Sequence, residues 1–171
     1  VLVGHTTGDA ITTADYNVAL GYGSLGADTK GNRNTALGHN SLATQNFTSA
    51  TDTYNVAVGF EAGNDITTGV NNTLIGGLAG DAITTGNNNV SVGKSSFSAN
   101  TTGSSGTAVG KSSLAANTTG ANNTAVGESC LAANTTAANN TAVGFTALAA
   151  NTTGTQNVAV GSSAGDAMTT A

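Results

Sequence analysis

Ten glycines recur along this chain at a nearly constant step: Gly4, Gly21, Gly38, Gly59, Gly76, Gly93, Gly110, Gly127, Gly144 and Gly161. Eight of the nine intervals are seventeen residues, and the one from Gly38 to Gly59 is twenty-one. A period that fills the sequence defines a stack of like units, not a domain folded around one central core.

The residues around each glycine give the unit its form. Four before it stands Asn17, Asn34, Asn55, Asn72, Asn89, Asn123, Asn140 or Asn157, with Gly106 as the exception. Three before is a β-branched residue, from Val1 to Val158, and one before is always aliphatic, from Val3 to Val160. Between these two lies a mostly small residue such as Ala19, Ala36, Ala108, Ala125 or Ala142. Side chains alternate faces along a strand, so the β-branched and aliphatic positions share one face and the small residue takes the other. A row of small residues suggests close approach of another backbone or chain. The glycine ends the strand, where a backbone conformation closed to other residues is needed.

Two variable positions follow, including His5-Thr6, Tyr22-Gly23, His39-Asn40, Phe60-Glu61, Lys94-Ser95 and Phe145-Thr146. Their varied chemistry predicts solvent exposure. A second short strand is expected next, in two versions. One has Leu or Phe four after the glycine and a polar residue seven after, as Leu114 with Asn117, Leu131 with Asn134 or Phe97 with Asn100. The other has Gly four after and a large apolar residue seven after: Gly8 with Ile11, Gly63 with Ile66, Gly80 with Ile83, Gly165 with Met168. Each unit has one large group here, which reads as one pocket per coil filled from either of two backbone positions. Thr-Thr-Gly or a near variant, such as Thr118-Thr119-Gly120, closes the unit in a turn.

The prediction is an all-β parallel β-solenoid of ten coils of about 17 residues, a single array over residues 1–171, roughly 47 Å long at a strand spacing of about 4.8 Å. The Asn column is expected to stack as a ladder, each side chain bonding its neighbour or the turn backbone. Few large groups per coil set against the entropy of ordering seventeen residues predict self-association, with the small Ala face as one contact.

Composition narrows function. With four Lys+Arg and a formal net charge of −5, there is no basic patch to neutralise phosphates, so nucleic-acid binding is not expected. Regular apolar positions set the chain apart from a low-complexity linker despite its 24 Gly. No apolar run reaches the length of a membrane span, and no signal peptide is visible. The start at Val1 and the uncapped repeats at both ends suggest a fragment of a longer protein. Cys130, the single cysteine, takes a slot filled elsewhere by Ser113, Ser96 or Ala147, and reads as a small buried residue.

The signature Asn-Thr-Ala-Val-Gly (Asn123 to Gly127, Asn140 to Gly144), with Ala-Leu-Ala-Ala-Asn-Thr-Thr-Gly (Ala147 to Gly154), resembles repeats of two related groups. One is the head repeat of trimeric autotransporter adhesins. The other is the repeat region of phage tail fibres and bacterial surface proteins that end in an endosialidase-type chaperone domain. The resemblance covers the whole chain. It implies a left-handed β-roll, three chains side by side, and exposure on a cell surface or virion, with no catalytic residues.

Candidate sites are few. The four-residue insertion within residues 45–54 carries Phe47 and Tyr54 and is expected to bulge, either as a ligand-contact loop or as a tolerated surface feature. His5 and His39, two units apart, would lie about 9.6 Å apart, too far to share a metal. Asp9, Asp81 and Asp166 lack the spacing of calcium-binding β-rolls and read as turn caps. Asn46, Asn71, Asn89, Asn100, Asn117, Asn122, Asn134, Asn139 and Asn151 open Asn-x-Thr/Ser triplets, which matter only in a glycosylating host. Glu61 and Glu128, the only Glu residues, are far apart in the stack. No enzyme, cofactor or metal is expected. The favoured expectation is a homotrimeric structural or adhesive segment of an extracellular fibre, a spacer with receptor or glycan contact. An end-to-end filament and, less favoured, an ice-binding solenoid are the alternatives, the adjacent Thr pairs being ill placed for one flat face.

Overall fold

The computed structural model describes residues 1–170, and among these there are strands and turns but no helix. The strands are β1 (Leu2–Val3), β2 (Val18–Leu20), β3 (Gly31–Asn32), β4 (Thr35–Leu37), β5 (Thr51–Asp52), β6 (Val56–Val58), β7 (Thr73–Ile75), β8 (Val90–Val92), β9 (Thr107–Val109), β10 (Thr124–Val126), β11 (Thr141–Val143) and β12 (Val158–Val160). All but β3 and β5 form one ten-stranded parallel sheet in chain order. The register puts like on like: Thr124, Ala125 and Val126 face Thr141, Ala142 and Val143. The chain therefore winds once per strand, as a β-solenoid, making nine circuits between β1 and β12.

The repeating glycine ends each strand for two separate reasons. Its φ lies between +128° and +141° in all ten copies, a region L side chains rarely adopt. A Cβ there would also strike the next coil: at Gly76 it would sit 2.7 Å from the carbonyl carbon and oxygen of Gly93.

The small Ala face, expected as a contact for self-association, lines the interior instead. The interior face is the small one: Ala19, Ala36, Ala57, Leu74, Ser91, Ala108, Ala125 and Ala142 are fully buried. The β-branched and aliphatic columns face outward, with Val18, Leu20, Ile75 and Val90 exposed. Alternation fixes which residues share a face, but not which face is inside. The deciding quantity is the narrowness of the coil, whose opposite wall leaves room only for small groups. The close backbone approach expected at the Ala row is real, but it occurs within the chain. Cys130 Sγ lies 3.1 Å from the carbonyl oxygen of Ala142, and Ser91 Oγ donates to the carbonyl of Ser96 at 2.9 Å. The Ala face is thus not available for contact with another chain.

The expected second strand is also replaced. Residues two and four after each glycine, such as Ser112 and Leu114 or Ser129 and Leu131, have φ of +50 to +65°. Left-handed residues at alternate positions curl the chain into stacked turns. These still bond coil to coil, for instance Leu114 N–H to Cys130 O at 3.0 Å and Ala116 N–H to Ala132 O at 3.1 Å.

The pocket-filling exchange holds. Leu25, Leu42, Phe97, Leu114, Leu131 and Leu148 from the first position, and Ile66 and Ile83 from the second, are buried to within 1%. In the glycine version, a Cβ on Gly80 would lie 2.8 Å from both Ile83 Cδ1 and Leu74 Cδ2. Leu74, the one large residue in the interior column of the middle coils, fills the room that Gly63 and Gly80 leave.

The Asn column bonds mainly to backbone, and only in part side chain to side chain. Asn72 Nδ2 donates to the Gly86 carbonyl at 2.9 Å, while its Oδ1 accepts the Asn89 N–H at 3.0 Å. The same pair of bonds recurs at Asn89 and Asn140. Gly106 interrupts the column because the Phe97 ring fills the space its Cβ would occupy. A second buried amide column runs through Asn100, Asn117, Asn134 and Asn151: every Nδ2 donates to a turn carbonyl at 3.0 Å, and those of Asn117, Asn134 and Asn151 also donate to the preceding Oδ1 at 2.8 to 3.3 Å. In the early coils its place is taken by Gln45 over Asp28, with Gln45 Nε2 donating to Asp28 Oδ2 at 2.7 Å.

The insertion does not leave the stack as a free loop. Thr48, Ser49 and Ala50 are exposed, but Thr51–Asp52 then pairs in parallel with Gly31–Asn32. The fourth added residue, Thr53, is buried, and its hydroxyl donates to the Asn32 carbonyl at 2.8 Å and to Asn34 Oδ1 at 2.6 Å.

Candidate functional site

Function has to be sought on the surface, because the interior is filled by the ladders and pocket residues. The position just after each glycine forms a column along one edge of the sheet. In the first four coils it holds His5, Tyr22, His39 and Phe60, stacked with centroids 5.5, 5.3 and 5.2 Å apart and planes within 6 to 14°. In-register coils force this stacking, since like positions repeat at about the thickness of an offset ring pair. The ring faces therefore look along the axis and their edges look outward. His5 and His39 are separated by the Tyr22 ring.

The opposite edge of the same sheet carries Tyr16, Arg33 and Tyr54. The Arg33 guanidinium lies 4.7 Å from the Tyr16 ring centre and 5.8 Å from that of Tyr54. Arg33 Nε also pairs with Asp52 Oδ2 at 3.0 Å. Its hydrogen bond holds the Asp52 carboxyl below the usual range, and the same pairing raises Arg33. Asp52 stands opposite Asn32 in the β3–β5 pair, so the charge that orders this edge sits at a repeat position, between the exposed triplet and Thr53.

The two residues of the candidate loop part company. Phe47 is buried, its N–H donating to Asp28 Oδ1 at 3.1 Å and its carbonyl accepting from Thr29 Oγ1 at 2.8 Å. Tyr54 is exposed, with its hydroxyl 3.4 Å from Asp52 Oδ2. Only Tyr54 is placed to meet a ligand. Arg33, Tyr16 and the aromatic column were missed in the sequence, although their seventeen-residue spacing was the signal that could have found them.

Other candidates are scattered. Asp9 and Asp166 are exposed. Asp81 is half-buried with Oδ1 unpartnered; desolvation raises its carboxyl, opposed by nearby backbone N–H groups and reinforced by the charges of Asp65 and Glu61. Glu128 pairs with Lys111 at 3.0 Å. Among the described residues no three His, Cys, Asp or Glu side chains gather as a metal site. Of the Asn-x-Thr/Ser triplets, Asn46, Asn71, Asn122 and Asn139 begin at exposed residues, while Asn89, Asn100, Asn117, Asn134 and Asn151 are buried. In the Thr pairs from Thr84-Thr85 to Thr152-Thr153 the first hydroxyl donates to the next coil, as Thr118 Oγ1 to Thr135 O at 3.1 Å, and only the second residue is exposed.

The largest continuous feature is the outward face of the sheet itself. The two edges frame a central strip of Val18/Leu20, Thr35/Leu37, Val56/Val58, Thr73/Ile75 and their successors. The fold and this surface define the class: a parallel β-solenoid with an apolar outer sheet. Comparison with protein-family models, with curated proteins and with solved structures finds no match to this chain.

Proposed function

We propose that this chain is a structural and adhesive segment of an extracellular fibre, assembled as a homotrimer through the outer face of its sheet. The observation that supports the reading most is the strip of aliphatic and β-branched side chains running the length of the sheet on the solvent side. Exposed apolar strips of this extent mark association surfaces. Apart from Phe145, the edges of the strip are polar or charged over the later coils, as an interface rim is. A solenoid with one large buried side chain per coil has little core of its own, so association through this face adds burial where the single chain lacks it. The resemblance of the repeat to adhesin heads and tail fibres points to a trimer and to a location on a cell surface or virion. The aromatic and Arg33–Asp52 edges of the first coils are where receptor or glycan contact is assigned. The reading involves no catalytic residue, cofactor, nucleic acid or membrane insertion.

Sedimentation of the chain at micromolar concentration tests the assembly. The expected species is a trimer, and Leu37→Lys with Val126→Lys is expected to give a folded monomer with an unchanged far-ultraviolet spectrum. A stable monomer from the unaltered chain would overturn the proposal.

A further inference from the structure

The aromatic edge column stops abruptly. After Phe60 its next member is Gly77, and then Lys94; consecutive placement is set by Leu78 N–H to Phe60 O at 2.9 Å and Ser95 N–H to Gly77 O at 3.0 Å. Nothing about the backbone requires glycine at 77. Its φ is not in the positive region, and a Cβ there would meet nothing within 4 Å. It differs in both respects from the ten strand-ending glycines. Its absent side chain leaves a notch one coil tall in the column.

The walls of that notch have defined chemistry. Phe60 is 53% exposed and stacks on His39 from one side only, so its other ring face looks across the notch. Lys94 is exposed and, among the described residues, has no ion-pair partner. Phe60 and Lys94 are two coils apart, about 9.6 Å, which is the room one ring needs when inserted between an aromatic face and an alkyl stem. Lys111, the next column member, already pairs with Glu128. Glu61, next to Phe60 in the sequence, lies in the coil of Phe60, at the end of the notch away from Lys94.

We propose that the notch over Gly77 binds a single six-membered ring carrying a carboxylate, with the ring lying on the free face of Phe60 and the carboxylate meeting the Lys94 ammonium. Two sources share this chemistry: an aromatic acid and an acidic sugar. Stacking supplies the contact area and the ammonium selects the charge. The site is open to solvent and small, so affinity is in the millimolar range. It stands independently of the trimer.

Nuclear magnetic resonance titration of the whole chain tests this, with benzoate and glucuronate as probes and benzyl alcohol and methyl glucoside as their neutral counterparts. Shifts are expected at the Gly77 amide, the Phe60 ring and Lys94, with the neutral probe weaker by about threefold. A response to benzoate alone identifies an aromatic acid as the ligand class, and one to glucuronate an acidic sugar. Gly77→Phe should extend the stacked column, keep the fold and abolish the response; Gly77→Leu serves the same end should the larger residue fail to fold. Lys94→Gln should weaken binding about threefold. Phe145→Ala should change nothing, because Phe145 stands between Glu128 and Ser162 with no notch. No shift with either acid, or shifts that survive filling of the notch, would overturn the proposal.

Discussion

The coils before Gly76 and those after Gly93 share one sheet but differ in what they do with it. The later coils repeat nearly without change: Thr-Ala-Val strands at β9, β10 and β11, Leu114, Leu131 and Leu148 in the pocket, and an unbroken column from Asn100 to Asn151. The earlier coils depart at almost every position. They hold Asp28 and Gln45 in place of Asn, the insertion, and the aromatic edges. Where the interior is uniform, the surface is plain. Where the surface is varied, the interior has been rearranged to hold it, as Phe47 and Thr53 do for the strand that carries Asp52. Solenoid stability is a sum of neighbour interfaces, so each coil can vary if the next one fits.

Glycine substitutions break this comparison most sharply. Gly127→Ala, in the uniform region, should cost about 2–5 kcal/mol in chemical denaturation, since it combines a forbidden φ with a clash against Gly144. Gly161→Ala should cost less, about 1–2 kcal/mol, because its nearest obstacle is Ala164 Cβ at 3.7 Å and only the φ penalty remains. Equal effects would mean that neighbouring-coil contact is not what selects glycine.

Pocket exchange comes next. Leu131→Gly should destabilise by about 3–5 kcal/mol, and adding Asn134→Ile should return part of that, converting one coil to the version seen at Gly80 and Ile83. Recovery should be incomplete because Asn134 also donates to Asn117 Oδ1 at 2.8 Å. A double variant no better than the single one would sink the shared-pocket account. At the interruption of the ladder, Gly106→Asn alone should destabilise by about 1–3 kcal/mol through collision with Phe97, whereas Phe97→Leu with Gly106→Asn should be close to neutral relative to Phe97→Leu.

The smallest effect sharpens the picture of the uniform interior. Burial pushes the Cys130 thiol up to about 11 from 9.0. The folded chain then holds this proton more tightly than the unfolded one. The resulting stability is complete below pH 9 and is lost as pH rises from there towards 11. At pH 8 a thiol reagent should react with the folded chain only at the rate of unfolding, and immediate labelling would contradict the burial.

The seventeen-residue period, the strand position and the shared pocket were legible in the sequence because each is a repeat visible along the chain. The inside and outside of the sheet were not. Val126 and Ala125 alternate whichever way the strand faces, and only the distance to the opposite wall decides which is buried. The left-handed residues at Leu114 and Leu131 were equally hidden, since nothing in Leu signals positive φ; the glycine at Gly63 and Gly80 was the hint. The split of the insertion into an exposed triplet, a paired strand and a buried Thr53 depends on partners in the coil before it. For the candidate loop this meant that Phe47 and Tyr54, alike as aromatic residues, had different places.

The like-on-like register has a consequence for size. Because Thr124, Ala125 and Val126 meet the same three residues in the next circuit, removing or duplicating seventeen residues between Gly110 and Gly144 leaves each remaining junction with the same partners. Such a molecule can act as a ruler, graduated in steps of about 4.8 Å, whose reach is adjusted by recombination within its own gene without any new contact having to evolve.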